Sequence, residues 1–230
     1  MNNIAIIPAK GNSKRIPGKN FKEFLGVPII KYSIDAAKES GLFDAVFVST
    51  DSEKIAEYSR AQGAWVPFLR DDALTKDDAT MYDVIRGTLS ELSKRNYNYE
   101  NCCMIYATAP MIRAEDIKGG MEFMVQEVAS VCIPVVRSPW HFQRTMVIEH
   151  GRLRMLYPGQ GEMNSSAWFQ DYHHAEHWWW ISVPRFILNG TLFPHSAVGY
   201  ILPEHSVCPI DTQEDWDYAE FKYMLWRGME

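Results

Sequence analysis

Apolar and polar positions follow two rhythms along the first 137 residues. Short continuous apolar runs, such as NIAIIP at 3–8, are bounded by turn signals, as strands buried on both faces would be. Between them apolar residues recur at helical spacing. Ile29, Ile30, Ser33, Ile34 and Ala37 follow Pro28, which can open a helix, and Gly41 closes it. The same reading predicts a strand at 45–50, a helix from an N-cap at Ser52 through Gln62 with Gly63 at its end, and a short strand at 65–68. A longer helix is predicted at 80–94, a strand at 102–107, a helix at 115–127 and a strand at 131–136. This alternation predicts an α/β fold, a mostly parallel sheet with helices on both faces.

After Arg137 the rhythm changes. Residues 140–157 alternate weakly around His150-Gly151, which predicts a hairpin. The polar, glycine-rich stretch 158–170 predicts a loop, and 172–180 is dense in His and Trp. A strand at 198–202 and a helix at 212–226 return the chain to the core.

Composition narrows the function classes. The chain has 230 residues, 47% hydrophobic and 23% charged, enough to bury one large core without disulfides or metal. Its net charge of −6 argues against nucleic acid or an anionic membrane as partner. No apolar run approaches the roughly 20 residues of a membrane span, and the start carries no basic segment. Cys102, Cys103, Cys132 and Cys208 have neither zinc nor secreted-disulfide spacing, which predicts a cytoplasmic protein. The negative charge is unevenly spread. Lys10, Lys14, Arg15, Lys19 and Lys22 precede the first acid, Glu23, so the remainder carries −11.

Those five cations lie in a loop, Pro8-Ala9-Lys10-Gly11-Asn12-Ser13-Lys14-Arg15-Ile16-Pro17-Gly18-Lys19-Asn20, that follows the first strand directly. Open α/β sheets bind ligands at that edge. Gly11 and Gly18 let the backbone turn and approach a ligand closely, and exposed backbone N–H groups there form an anion-binding concavity. The loop is neither a P-loop nor a dinucleotide fingerprint, because G-x-x-x-x-G-K-[ST] and G-x-G-x-x-G are both absent. A solvated basic loop is the plain alternative. Its position after a buried strand favours a polyphosphate pocket instead.

The string IPAKGNSKRIPGKN resembles the N-terminal signature of the CMP-sialic acid synthetase family, cytidylyltransferases that activate nine-carbon acidic sugars. VSTDSEKIAEYSRAQGAWVPFLR at 48–70, IYATAPMI at 105–112 and IDTQEDWDYAEF at 210–221 continue the likeness in order. YATAP, the aromatic segment after residue 137 and IDT-x-EDW are most similar to the pseudaminic acid branch. The resemblance implies a three-layer, Rossmann-like nucleotidyltransferase fold with a core at 1–137 plus 181–230 and a protruding dimerisation arm at 138–180. It implies a reaction of CTP with the anomeric hydroxyl of a nine-carbon acidic sugar, releasing pyrophosphate. Alternatives are the same reaction on sialic, legionaminic or another isomeric acid, or a catalytically weakened CTP-binding regulatory protein.

By the same resemblance, Lys19, Lys14 and Arg15 do the electrostatic work, with Lys19 nearest the leaving phosphates. The loop from Pro8 and Ala9 through Ser13, with Asn20, Arg70 and Thr80, binds nucleotide. Thr108, Ala109, His173 and Trp180 meet the sugar. Asp211 becomes a Mg²⁺ ligand, with Asp51 as a possible second carboxylate, although an N-terminal helix carboxylate and a turn residue are the structural readings of the two. Two departures stand out. Pro209 replaces the first aspartate of the family's D-x-D pair, and Asn164-Ser165-Ser166-Ala167 lacks an arginine expected before the arm's Tyr-His. His173, His174 and His177 with Glu176 also invite a metal reading, since His173 and His177 would share a helix face, but no fourth ligand is indicated. Trp140, Trp168, Trp178, Trp179 and Trp180 fall on the arm. Three consecutive tryptophans there would need a partner surface, because strand neighbours point to opposite faces, and the resemblance implies a homodimer formed through this arm.

Overall fold

The computed structural model describes residues 2–71, 74–75, 79–138, 145–158, 173–175 and 177–228. Five strands of the central sheet come from the predicted alternation: β1 (Asn3–Pro8), β4 (Ala45–Ser49), β5 (Asn101–Ile105), β6 (Val131–Arg137) and β11 (Ala197–Ile201). The sheet also takes in β9 (His173–Ala175) and β10 (Trp178–Ser182), and its order is β11-β6-β10-β5-β1-β4, with β9 beside β6. Strands β4, β1 and β5 are mutually parallel, as are β6 and β11. β10 runs antiparallel between β5 and β6, and β9 continues that antiparallel run along the far end of β6.

Alternation along β1 divides the interior into two layers. Ala5 and Ile7 face α1 (Ile30–Ser40), α2 (Glu53–Ala61) and α4 (Ala114–Gln126), whereas Ile4 and Ile6 face α3 (Met81–Lys94) and α5 (Val183–Asn189). The helix ends follow the sequence signals. Ser52 caps α2 by accepting from the Ile55 N–H, and Thr80 forms a capping box with Asp83 on α3. Gly41 ends α1 in the left-handed conformation, at φ 64°. α6 (Gln213–Arg227) starts from a second capping box, Thr212 with Asp215. It packs Trp216 and Trp226 against Ile16, Phe24 and Ile29 in a smaller third core.

Several expectations need correction. Pro28 does not open a helix. It lies in β3 (Val27–Pro28), which pairs with β2 (Glu23–Phe24), and α1 begins at Ile30. Residues 65–68 make a single bridge, Trp65 to Phe47, rather than a strand. α5 has no counterpart in the predicted elements, being seven residues with a proline in its first turn.

The largest correction concerns the tryptophans. Trp178, Trp179 and Trp180 are at most 4% exposed without any partner chain. Because β10 lies inside a sheet covered on both faces, alternation sends each ring into a core. Trp178 and Trp180 enter the α1/α2/α4 layer, and Trp179 enters the α3/α5 layer. Trp180 stacks on Phe43 at 5.1 Å, and its indole N–H donates to the Ile117 carbonyl at 2.8 Å. An indole buries roughly 150–250 Å², a gross stabilisation of about 4–6 kcal/mol each before entropy. The central sheet thus takes in β9 and β10, which fall within the predicted arm. Trp140, Trp168 and 164–167 lie outside the described residues. Between them, β7 (Met146–Glu149) and β8 (Arg152–Met155) form the predicted hairpin, turning through His150 and Gly151 at φ 51° and 77°.

Candidate active site

A cleft of about 460 Å³ opens at the carboxyl edge of β1 and β5. Pro8, Lys10, Arg15, Lys19 and Asn20 line it from the basic loop, Arg70 and Leu74 from the segment between α2 and α3, and Tyr106, Ala107 and Thr108 from the end of β5. Met81 and Val84 of α3 form an apolar wall, and Pro209, Ile210 and Asp211 close the side nearest α6.

Local geometry explains why the loop folds this way. The Ala9 N–H donates to the Ser49 carbonyl at 2.8 Å, and the Gly11 N–H donates to Asp51 Oδ1 at 2.7 Å, tying the loop to the end of β4. A Cβ on Gly11 would sit 2.8 Å from the Ser52 Cβ. That glycine thus permits close approach to the neighbouring turn, rather than to a ligand. Gly18, at φ 63°, opens a single turn of 3₁₀ helix at Lys19–Phe21. Asn20 then donates to the Lys10 carbonyl at 2.8 Å and closes the loop on itself.

Lys19 ends up in the cleft with only 18% of its side chain exposed. Its ammonium donates to the Ile210 carbonyl at 2.5 Å and lies 3.5 Å from Asp211 Oδ1. Burial lowers its pKa, and Asp211 opposes that shift. Arg15 reaches the same Asp211 oxygen at 3.0 Å. Asp211 is itself placed by α6, since the Asp215 carboxylate accepts from the N–H groups of Asp211 and Thr212 at 3.0 and 2.8 Å. Those bonds hold Asp215 below its ordinary pKa. Lys22 fastens α6 to the loop, donating to Gln213 at 2.6 Å and lying 4.3 Å from the Trp216 ring centre.

Arg70 bridges strand and cleft. Its backbone N–H donates to the Thr50 carbonyl at 2.7 Å, and its guanidinium donates to the carbonyls of Ser49 and Leu74. Burial lowers its pKa against the pull of Asp51, and its buried Nε makes no hydrogen bond among the described residues. These groups make a cationic, partly dry concavity suited to a charged ligand.

The structure sorts the remaining expected residues. Thr108 lines the cleft, whereas the adjacent Ala109 is fully buried. Asn12, Ser13 and Lys14 are in the loop but off the cleft wall, and Lys14 is exposed. Thr80 is exposed and engaged in its capping box, with Ala79 and Met81 on either side contributing to the wall. Trp180, expected at the sugar, lies in the core, and His173 is exposed on β9. His173 and His177 share no helix face, because His173 lies on β9 and His177 in the bend that leads into β10.

Sequence reasoning named His177 only in the metal reading and missed its place in this cleft. His177 is 4% exposed, lines the cleft and is fixed by its own carbonyl accepting from the Tyr106 N–H at 2.9 Å. Its ring hydrogen-bonds the Cys208 backbone, and burial pulls its pKa down to about 4, so the imidazole is neutral at pH 7. The missed signal is directional. β10 runs antiparallel, so the residue before it arrives at the edge where parallel strands end.

Among the described residues, no group of three His, Cys, Asp or Glu side chains converges as a metal cage, and no helix is long and apolar enough to cross a membrane. Residues 4–136 match the family described as Cytidylyltransferase. The chain is 35% identical over 227 residues to the pseudaminic acid cytidylyltransferase of Campylobacter jejuni subsp. jejuni serotype O:2, covering 98% of this chain and 97% of that one. It is 33% identical over 119 residues to the CMP-N,N'-diacetyllegionaminic acid synthase of Legionella pneumophila, covering 52% and 51% of the two chains. In fold it is similar to a CMP:2-keto-3-deoxy-manno-octonic acid synthetase solved with CTP, at TM-score 0.69 and 15% identity over 99% of this chain and 100% of that one.

Proposed function

The chain belongs to the cytidylyltransferase family, and from that premise we propose that its cleft joins CTP to the anomeric hydroxyl of a nonulosonic acid, with pseudaminic acid as the sugar. One observation carries the reading beyond the family: Lys10, Arg15 and Lys19 converge with Arg70 on one cleft at the edge of β1. The likeness to the Campylobacter enzyme along nearly the whole chain supports the choice of sugar. The sugar's C2 oxygen attacks the α-phosphorus of CTP, the bond from that phosphorus to the β-phosphate oxygen breaks, and pyrophosphate leaves with the bonding pair. The hydroxyl proton is lost to the surroundings.

Lys19, with Arg15 beside it, stabilises the charge that builds on the α-phosphate and the departing pyrophosphate. Lys14, exposed at the loop's rim, attracts the triphosphate at longer range. Lys10, Asn20 and Arg70 hold the nucleotide between the loop and the end of β4. Thr108 and His177, close to the end of β5, face the sugar side. Because little covalent chemistry is asked of the protein, positioning dominates.

Magnesium fits as a cation shared with the substrate. Mg²⁺ commonly takes one or two carboxylates and completes its shell with phosphate oxygens and water. Asp211 borders the cleft with 56% of its side chain exposed and would be the carboxylate ligand. Pro209 offers no side-chain ligand, and Asp51 Oδ1 accepts from the Gly11 N–H. When bound, the ion neutralises phosphate charge. We also propose a two-fold dimer formed through the segment that carries β7 and β8.

The test is pyrophosphate release with CTP, Mg²⁺ and a panel of nonulosonic acids, with pseudaminic acid expected to give the highest kcat/KM. Lys19→Ala should lower kcat/KM by about 10²–10³-fold with the fold intact. Near-normal turnover would remove Lys19 from its role. CTP binding with no pyrophosphate released from any acid would favour the regulatory reading.

A further inference from the structure

Two of the cations in the cleft share one anion. Arg15 Nη2 and Lys19 Nζ lie 3.0 and 3.5 Å from the same oxygen, Oδ1 of Asp211. The arrangement is built rather than incidental, because Asp215 fixes the Asp211 backbone from within the first turn of α6, and Lys19 also donates to the neighbouring Ile210 carbonyl. Lys19 is mostly buried, with 18% of its side chain exposed, and Asp211 is the carboxylate paired with it. A desolvated ammonium requires a compensating anion, and Asp211 supplies it when no phosphate does.

We propose that Asp211 is an internal counter-ion for Arg15 and Lys19, which a triphosphate must displace, so that the site resists nucleotide arriving without a divalent cation. The proposal deepens the CTP reading and rests on it. A metal-free triphosphate faces two penalties at this point. It competes with the carboxylate for both cations, and it brings its own negative charge towards that carboxylate. With a divalent cation held by Asp211, both penalties would fall, because the carboxylate would no longer pair with Arg15 and Lys19 and both side chains would be left to the phosphates. Metal and nucleotide then bind with positive linkage, each raising the affinity of the other by the same factor.

The partners' exposure sets the scale. Arg15 and Asp211 are 70% and 56% exposed, so their pairing is weak, and Lys19, at 18%, contributes the better shielded part. Together they correspond to about a three- to tenfold effect on affinity. This is enough to favour the metal complex without preventing nucleotide binding.

The experiment measures CTP binding by calorimetry, with EDTA and then with Mg²⁺, for the wild type, Asp211→Asn, Arg15→Ala and the double variant. Asp211→Asn keeps the size of the side chain and leaves the backbone bond to Asp215 in place. In EDTA it should bind CTP about three- to tenfold more tightly than the wild type, and Mg²⁺ should no longer improve its binding. In the Arg15→Ala background, the gain from Asp211→Asn should shrink, because one of the two cations it would release is gone. Equal or weaker binding by Asp211→Asn in EDTA overturns the proposal. A gain of the same size in both backgrounds also overturns it, by showing simple repulsion without competition for Arg15. Failure of the wild type to bind CTP under either condition would instead remove the nucleotide reading on which the proposal stands.

Discussion

His177 shows how far burial can set the behaviour of one residue. Its folded-state pKa of about 4 lies below the ordinary value of 6.5. Between those two pH values the unfolded chain binds a proton that the folded chain refuses. The stability from this group is therefore fully present above pH 6.5 and is lost as pH falls towards 4, in total on the order of 3 kcal/mol. Asp215 and Asp83, whose pKa values are lowered from 3.8, lose their contributions only in more acidic solution, so the window belongs to the histidine. Urea denaturation at pH 7 and pH 4.5 should show the loss in the wild type and a flatter profile in His177→Gln. Matching profiles for the two proteins would reject the assignment. Residues of this kind were the least legible from sequence. The basic loop holding Arg15 and Lys19 could be read from its place after β1 and from its glycines, and the roles of Lys19 and Asp211 from the family resemblance. His177 reaches the cleft only through the direction of the strand it precedes, which nothing within the HHAEH string specifies.

Strand β10 is where local reading and long-range packing part company. The helices, their caps and the parallel strands were legible because each carries its own period and its own end signals. Three adjacent tryptophans have no interpretable period. They can be buried only where a sheet is covered on both sides, and that condition depends on α4 and α3, distant in sequence. The fit is visible at Gly120 of α4, where a Cβ would lie 2.1 Å from Cη2 of the buried Trp178 ring. Gly87 of α3 makes a useful contrast, because a Cβ there would meet Leu74 Cδ1 at 2.5 Å, the end of a flexible side chain on the cleft wall. Gly120→Ala should destabilise the protein by about 1–3 kcal/mol through overpacking. Gly87→Ala should change stability by less than about 1 kcal/mol, since helix propensity offsets the contact, yet raise KM for CTP as Leu74 is pushed aside. Thermal denaturation and steady-state kinetics on the two variants separate these outcomes. A Gly120→Ala protein as stable as wild type would mean that the indole has room to move.

At the scale of the whole molecule, the burial of Trp178, Trp179 and Trp180 removes the argument that first pointed to a partner, so the dimer must be argued from the hairpin instead. Register places Met146 opposite Met155 and Ile148 opposite Leu153, all four on one face. The other face carries Glu149, Arg152 and Arg154, with Arg154 bidentate to Glu149 at 3.0 and 2.5 Å. The apolar face is open: Ile148 is 74% exposed, Leu153 69% and Met146 53%. An isolated two-stranded hairpin is only marginally stable in water, and a hydrophobic face on such a ribbon gains most from being covered. A second copy, applying the same face about a two-fold axis, would cover it symmetrically. The expected outcome is a dimer by light scattering at micromolar concentration, and a monomer for Ile148→Lys combined with Leu153→Lys. The cleft of one chain already holds Lys10, Arg15, Lys19, Arg70 and Asp211, so the monomeric variant should bind CTP with unchanged affinity. In the proposed dimer, the arm implied by the resemblance would reach the neighbour's sugar site, so KM for the sugar is expected to rise in the monomeric variant. A wild type that scatters as a monomer would leave the hairpin's apolar face without this partner, and an unchanged sugar KM in the variant would confine the site to one chain.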